Sequence, residues 1–309
     1  IIFHVIEYIQ KHNPKVFILK NVEGITTLKQ GEYMNIIMDE LYRPSQYSIY
    51  TKVINTKEHG LPHNRSRWYC VGILKQYEQV KFEFPSEIDT ISIEDILHDK
   101  PQSAVMYPEN ANKKRNVVKA INKITSSTTK TSDHKSSGHT YIVDCDASYQ
   151  RSHYMLNISP CITRSRAKGH WIINRNRYFD ISEMCKLQGI HPQRFQQVQA
   201  NVLGQCIGNS MSVNVISRIV SQAINSTNLV PYRVTHPFMD KRKMLKHLNR
   251  DIAKACKHQT RGELPTRGVG LLSVSMKDFL AQVSQHLSTS GPFVSNSTKA
   301  TGNLLTMAS

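Results

Sequence analysis

Pro14-Lys15-Val16-Phe17-Ile18-Leu19-Lys20-Asn21-Val22-Glu23-Gly24 is the stretch that decides how this 309-residue chain is read. Residues 15–19 form a short, largely apolar run between a proline and a polar turn, so they read as a buried strand. Before it, Ile1-Ile2-Phe3, Val5-Ile6 and Ile9 recur at helical spacing, and His12-Asn13-Pro14 stops the helix. No Ser, Thr, Asp or Asn caps that helix, which reads as a chain entered inside a helix, a portion of a longer protein. After it, residues 31–42 fit a second helix, residues 46–54 a strand with partial alternation, His59-Gly60-Leu61-Pro62 a turn and residues 67–73 a further strand. Residues 80–84 read as one more strand. Apolar strands alternating with helices give an α/β fold, a sheet covered by helices.

From about residue 100 the texture changes. Residues 108–114 are polar, and residues 125–138 are rich in Ser, Thr and Lys, which reads as loops in a small basic domain or insertion. Order returns near Tyr154, with a helix over 181–187 started at Asp180 or Ser182 and an amphipathic helix from about Ser212. Beyond Leu229 the chain is basic, with Lys241-Arg242-Lys243, Lys246, Arg250 and Lys254 on one helical stretch, and residues 285–309 have the composition of a disordered tail. The expected division is 1–100, 101–190, 191–228 and 229–309.

Forty Lys+Arg against 23 Asp+Glu leave a formal charge of +17, a surplus that favours a polyanionic partner, nucleic acid first. No apolar run approaches the roughly 20 residues of a membrane span, and no secretory pattern opens the chain. The six cysteines are scattered without a CxxC pair, so neither a structural zinc site nor a disulfide framework is expected, and reduced intracellular thiols are.

Four ordered segments carry a resemblance. The first is the opening stretch with its Lys20-Asn21-Val22. The second is His59-Gly60-Leu61-Pro62-His63-Asn64-Arg65-Ser66-Arg67, followed by Trp68-Tyr69-Cys70-Val71-Gly72. The third runs from Ser159-Pro160 and Thr163 to Arg177-Tyr178-Phe179, Glu183 and Leu187-Gln188-Gly189-Ile190. The fourth is Gly204-Gln205-Cys206-Ile207-Gly208-Asn209-Ser210 with Val213-Asn214-Val215. Each alone is weak. Together, in this order and with a polar variable stretch between the second and third, they resemble the C-terminal part of the cytosine-5 DNA methyltransferase family over residues 1–224.

That resemblance implies a partial Rossmann-like methyltransferase sheet and a small target recognition domain. It implies methyl transfer from S-adenosyl-L-methionine to carbon 5 of a cytosine flipped out of DNA. A cysteine thiolate adds to carbon 6, and the Glu of a Glu-Asn-Val strand holds the base. Here Asn21 and Val22 match, and Lys20 stands where the Glu belongs. An ammonium donates hydrogen bonds and accepts none, so it cannot receive the cytosine amine. Glu23, past the strand end, reads as a turn residue.

Arg65 and Arg67 match the arginine motif, with His63 in place of its Gln. They are read as holding the flipped nucleotide, or alternatively as a structural pair bracing the Asn21 loop. Asn209 and Ser210 are implied to line the cofactor pocket, with a plain helix cap as the other reading. The family's Pro-Cys loop and Gly-rich cofactor turn are not in these residues. Pro160-Cys161 follows the arginines and is read as a small buried hydrophobe rather than a nucleophile.

Lys113, Lys114, Arg115, Lys119, Lys123 and Lys130 fit phosphate contacts in the recognition domain. No metal site is expected. The alternatives are a non-catalytic nucleic-acid-binding relative, which Lys20 favours, and a tRNA-directed enzyme. The location is intracellular, and nuclear in a eukaryotic cell.

Overall fold

In a computed structural model, the described residues are 2–99, 106–128, 139–164, 169–191 and 199–249. The opening stretch forms strand β1 (Val16–Val22), between helices α1 (Ile2–His12) and α2 (Glu32–Tyr42). Strands β2 (Tyr47–Asn55) and β3 (Ser66–Leu74) complete a three-stranded sheet in the order β1-β3-β2. Both outer strands pair antiparallel to β3. They therefore run parallel to each other, joined through α2, with β3 inserted between them.

The period of two sorts the side chains into two faces. Phe17, Trp68, Cys70, Leu74 and Tyr47 fall on one face and pack against Ile6 and Ile9 of α1 and Ile37 and Leu41 of α2. Ile18, Tyr69, Val71, Ile73 and Ile54 fall on the other. Helix α6 (Val213–Asn225) covers them with Val215, Ile216, Ile219 and Ala223. The result is the expected α/β sandwich of helix, sheet and helix layers. Gly72 lies opposite Phe17, and a Cβ there would sit 2.1 Å from the Phe17 ring.

Residues 80–84 are not a strand. The amides of Gln79 and Val80 bond to the Ser226 carbonyl instead. Phe82 turns into the core beside Tyr50, so its burial mimics strand patterning without a ladder.

A second sheet, β5-β4-β6-β7, is built from β4 (Tyr141–Asp144), β5 (Tyr154–Leu156), β6 (His170–Ile172) and β7 (Arg177–Tyr178), all antiparallel. Order thus resumes earlier than Tyr154. Part of the expected loop is helix: α3 spans Ala111–Thr128. It buries Val117 and Ala120 with Ile121 against Val143, Cys145 and Trp171. Ile142 and Ile172 belong to a larger core with helices α4 (Ile181–Leu187) and α5 (Ala200–Asn209). Asp180 caps α4, its carboxylate accepting from the Glu183 amide while Glu183 accepts from the Asp180 amide, a capping box.

The stretch expected as a tail from 229 joins this core. Helix α7 (Lys241–Leu248), capped by Asp240, buries Met244 and Leu248, and Phe238 sits beside them. Arg250, Lys254 and residues 285–309 lie outside the described residues.

Candidate functional site

In α/β sheets with parallel-running strands, ligands gather beyond the carboxyl ends of the strands. Here β1 and β2 end at Val22 and Asn55, and β3 begins at Ser66, at that same end. Lys20, Asn21, Arg65 and Arg67 all lie there, which is why a short β3 entry matters so much.

The two faces divide them. Lys20 is opposite Tyr69, and Val22 is opposite Arg67, so Lys20 and Arg67 share the α6 side. Asn21 is opposite Trp68 on the α1–α2 side, its Oδ1 accepting from the Val22 amide at 2.8 Å. Lys20 and Arg67 are brought together, and Asn21 is not brought in with them. Lys52 also pairs with Tyr69, which adds a cation to the same face that the motifs did not mark, though strand alternation could have.

Arg65 is 2% exposed. Its Nη1 donates to the Ile162 carbonyl at 2.6 Å, and its Nη2 donates to the carbonyls of Gly208 at 3.0 Å and Ser210 at 2.7 Å. A planar fork that reaches three carbonyls on two separate segments acts as a brace. Its hydrogen-bond partners tie the entry of β3 to residues 162 and 208–210, and not to the Asn21 loop. Arg67 is half-buried and donates to the Ser66 carbonyl at 2.6 Å.

Cys161 sits between the two guanidinium groups, its Sγ 3.5 Å from Arg65 Nη1 and 3.6 Å from Arg67 Nη2. It is half-buried, not the fully buried hydrophobe expected. Burial, then the positive charges of Arg65 and Arg67, pull the Lys20 ammonium below the ordinary lysine range. Burial likewise lowers Arg65.

His63 is wholly buried behind this cluster. Its Nε2 accepts from the Ile162 amide at 3.1 Å, which leaves Nδ1 to donate to the Leu187 carbonyl at 3.2 Å. Desolvation first, then Arg65, holds it well below the usual histidine range, so it stays neutral. It ties β3's entry to the third motif, as an amide side chain would.

Asn209 ends α5 and is exposed, and Ser210 is its C-cap. The Ser210 amide bonds to the carbonyls of Cys206 and Ile207, and its Oγ donates to Ile207 at 2.8 Å. The Ser210 amide is therefore taken up by the end of α5, in the short link before α6. One exposed amide side chain is too small a donor set to hold S-adenosylmethionine.

Among the described residues His98, Asp180 and Glu183 stand close enough to share a cation. Both oxygens of Glu183 already accept from Arg177 at 2.8 Å, and His98 Nδ1 pairs with Asp180 at 2.9 Å. The cluster is an ion-pair joint. It continues through Asp99 to Arg177 and through Glu94 to the buried Arg175, tying the second sheet to residues 94–99.

Of the cations expected on phosphate, Lys113 pairs with Asp146 at 3.4 Å, and Lys119 donates to the carbonyls of Tyr149 and Ser152. Those two serve the fold. Lys114 and Arg115 are exposed on α3 beside Tyr107 and Tyr149, and Lys123 is exposed further along. Lys130 lies outside the described residues. No described helix is long and apolar enough to cross a membrane.

Comparison with known proteins agrees with the family resemblance. The family model "C-5 cytosine-specific DNA methylase" matches residues 1–225. The type II methyltransferase M.HaeII of Haemophilus aegyptius is 30% identical over 234 residues, 75% of this chain and 68% of that protein. M.HpaII of Haemophilus parainfluenzae is 33% identical over 107 residues, 34% of this chain and 30% of that protein. Among solved structures, the Entamoeba histolytica methyltransferase EhMeth aligns with a TM-score of 0.43 at 18% identity, covering 69% of this chain and 63% of that one. The chain belongs to the C-5 cytosine-specific DNA methylase family.

Proposed function

We propose that this chain is the target-holding portion of a DNA cytosine-5 methyltransferase. It would act on DNA with S-adenosylmethionine as methyl donor, in the cellular compartment that holds the DNA. The observation that carries this reading is the convergence of Lys20, Arg65 and Arg67 at the carboxyl ends of β1 and β2, inside the residues the family model matches. Arg65 braces residues 162 and 208–210 against the strand entry, and Arg67 and Lys20 face the space beyond it.

Lys20 favours a second reading, nucleic-acid binding without methyl transfer. An ammonium at that position supplies donors only, so the exocyclic amine of cytosine finds no acceptor there. A positive charge also disfavours protonation of the ring nitrogen beside it.

The two readings separate in one assay. The chain is expressed together with the coding sequence immediately upstream of Ile1, and methyl transfer to duplex DNA is measured with Lys20 and with Lys20→Glu. The enzyme reading expects the substitution to raise the rate by at least tenfold, since a charge-assisted hydrogen bond to the base contributes about 1.5–3 kcal/mol. No transfer by either form, with DNA binding retained, selects the second reading. Loss of both transfer and DNA binding overturns the two together.

A further inference from the structure

Lys20, Arg65 and Arg67 form a cation cluster with no internal counter-charge. Among the described residues no carboxylate lies within ion-pair distance of any of the three. The nearest polarisable partner is the Cys161 sulfur, in contact with both guanidinium groups. Arg65 has its two terminal nitrogens on backbone carbonyls, while its Nε is buried and without a partner. Among the described residues the Arg67 guanidinium donates to its neighbour's carbonyl and to the sulfur. The Lys20 backbone belongs to the β1–β3 ladder, but its ammonium makes no hydrogen bond to any described residue, and the residue is half-buried.

Like charges held together in a partly desolvated place repel one another, and folding must bear that repulsion. Elsewhere Arg175 is paired with Glu94 and Asp99, and Arg177 with Asp99 and Glu183, while the buried Arg218 stands apart with a bond to the Ser86 carbonyl and no carboxylate partner among the described residues. What sets the β1–β3 end apart is that three cations lie together there without a carboxylate among the described residues. Its charge is positioned for something the chain does not itself supply.

We propose that Lys20 and Arg67, with Arg65 behind them, form a seat for a phosphate group at the carboxyl end of β1. A tetrahedral dianion or diester offers several oxygens, so it can take the ammonium as a point charge and the guanidinium edge at once. This rests on the nucleic-acid reading of the same end of the sheet and sharpens it. With Lys20 in place of a carboxylate, the chain grips the backbone beside the target nucleotide and does not read the base edge. The seat serves a phosphodiester of nucleic acid in the first instance, and free phosphate presents the same chemistry.

The test uses the full chain and three forms, wild type, Lys20→Met and Lys20→Arg. Thermal midpoints are recorded in chloride, acetate and inorganic phosphate at matched ionic strength. Phosphate should raise the wild-type midpoint above both other anions. Lys20→Arg should keep that rise, and Lys20→Met should weaken phosphate binding roughly tenfold, the order of one charge-assisted hydrogen bond. In chloride alone Lys20→Met should melt higher than wild type, because one repelling charge is gone.

Duplex DNA forms the second arm. The slope of log affinity against log salt should fall by about one in Lys20→Met. Phosphate acting no differently from chloride or acetate on wild type, or equally on Lys20→Met, overturns the seat. DNA binding that persists in that case leaves the nucleic-acid reading standing. A phosphate effect that depends on Lys20, without DNA binding, upholds the seat for free phosphate and sinks the nucleic-acid reading.

Discussion

At the scale of single residues, the site is held by backbone carbonyls and buried rings. His63 must be neutral, because its Nε2 accepts from Ile162. Its folded pKa is depressed below 6.5, so the unfolded chain binds the extra proton first. Stability from this residue is complete above about pH 6.5 and is lost as pH falls below it toward the folded value. His59 and His236, both lowered to about 4 chiefly by burial, add to the same acid loss. His63→Gln keeps one donor and one acceptor. It should leave the denaturation midpoint at pH 7.5 within about 1 kcal/mol of wild type and flatten part of the decline measured from pH 7 to 5.

Gly208, unlike His63, allows no exchange. A Cβ there would lie 2.3 Å from the Thr163 carbonyl carbon and 2.4 Å from the Arg164 nitrogen, and backbone cannot move aside as a flexible side chain does. Gly208→Ala should destabilise the chain by more than about 3 kcal/mol. Gly24→Ala, with nothing within 4 Å, should be nearly neutral in the same urea titration.

At the scale of elements, the first sheet was legible because its strands are short apolar runs closed by Pro, Asn and Gly. The register then followed from which residues are apolar: Phe17 and Leu19 on one face, Val16 and Ile18 on the other. Helix α3 was not legible. Its polar residues outnumber the few that pack, and only the spacing of Val117, Ala120 and Ile121 betrays the buried face. Residues 80–84 failed in the opposite sense, since Phe82 is buried by contact with Tyr50 and not by a ladder.

Asn209 and Ser210 were legible as a motif but not as geometry. A Gly-Asn turn looks alike at the start and the end of a helix, and here it closes α5. Helix α7 lies past the family match, yet Met244 reaches the face of Gly60, whose φ of +95° suits a residue without a side chain. Met244→Ala should cost about 2–4 kcal/mol by leaving a cavity in that core. Lys241→Ala, exposed on the same helix, should change the midpoint by less than about 0.5 kcal/mol.

At the scale of the whole molecule, the joint of Arg175 and Arg177 with Glu94, Asp99 and Glu183 locks the second sheet to the segment that leads out of the first. A paired network anchored on the buried Arg175 and Glu183 favours one arrangement of the two parts over others. Charge follows the opposite rule at the β1–β3 end, where half-buried Lys20 and Arg67 and the buried Arg65 have no carboxylate within ion-pair distance among the described residues. Exposed Lys114, Arg115 and Lys123 on α3, and Lys241, Arg242 and Lys246 on α7, offer rival surfaces for a polyanion. Overall net charge does not choose among these surfaces, and the family motifs choose only by analogy.

A photochemical crosslink chooses directly. A duplex carrying one 5-iodocytosine, mispaired so that it leaves the stack easily, is irradiated with the full chain, and the modified peptide is mapped by mass spectrometry. The account predicts adducts in the peptides holding residues 16–22 or 65–70, and loss of those adducts in Arg67→Ala. Adducts confined to α3 or α7, unchanged by Arg67→Ala, would contradict it.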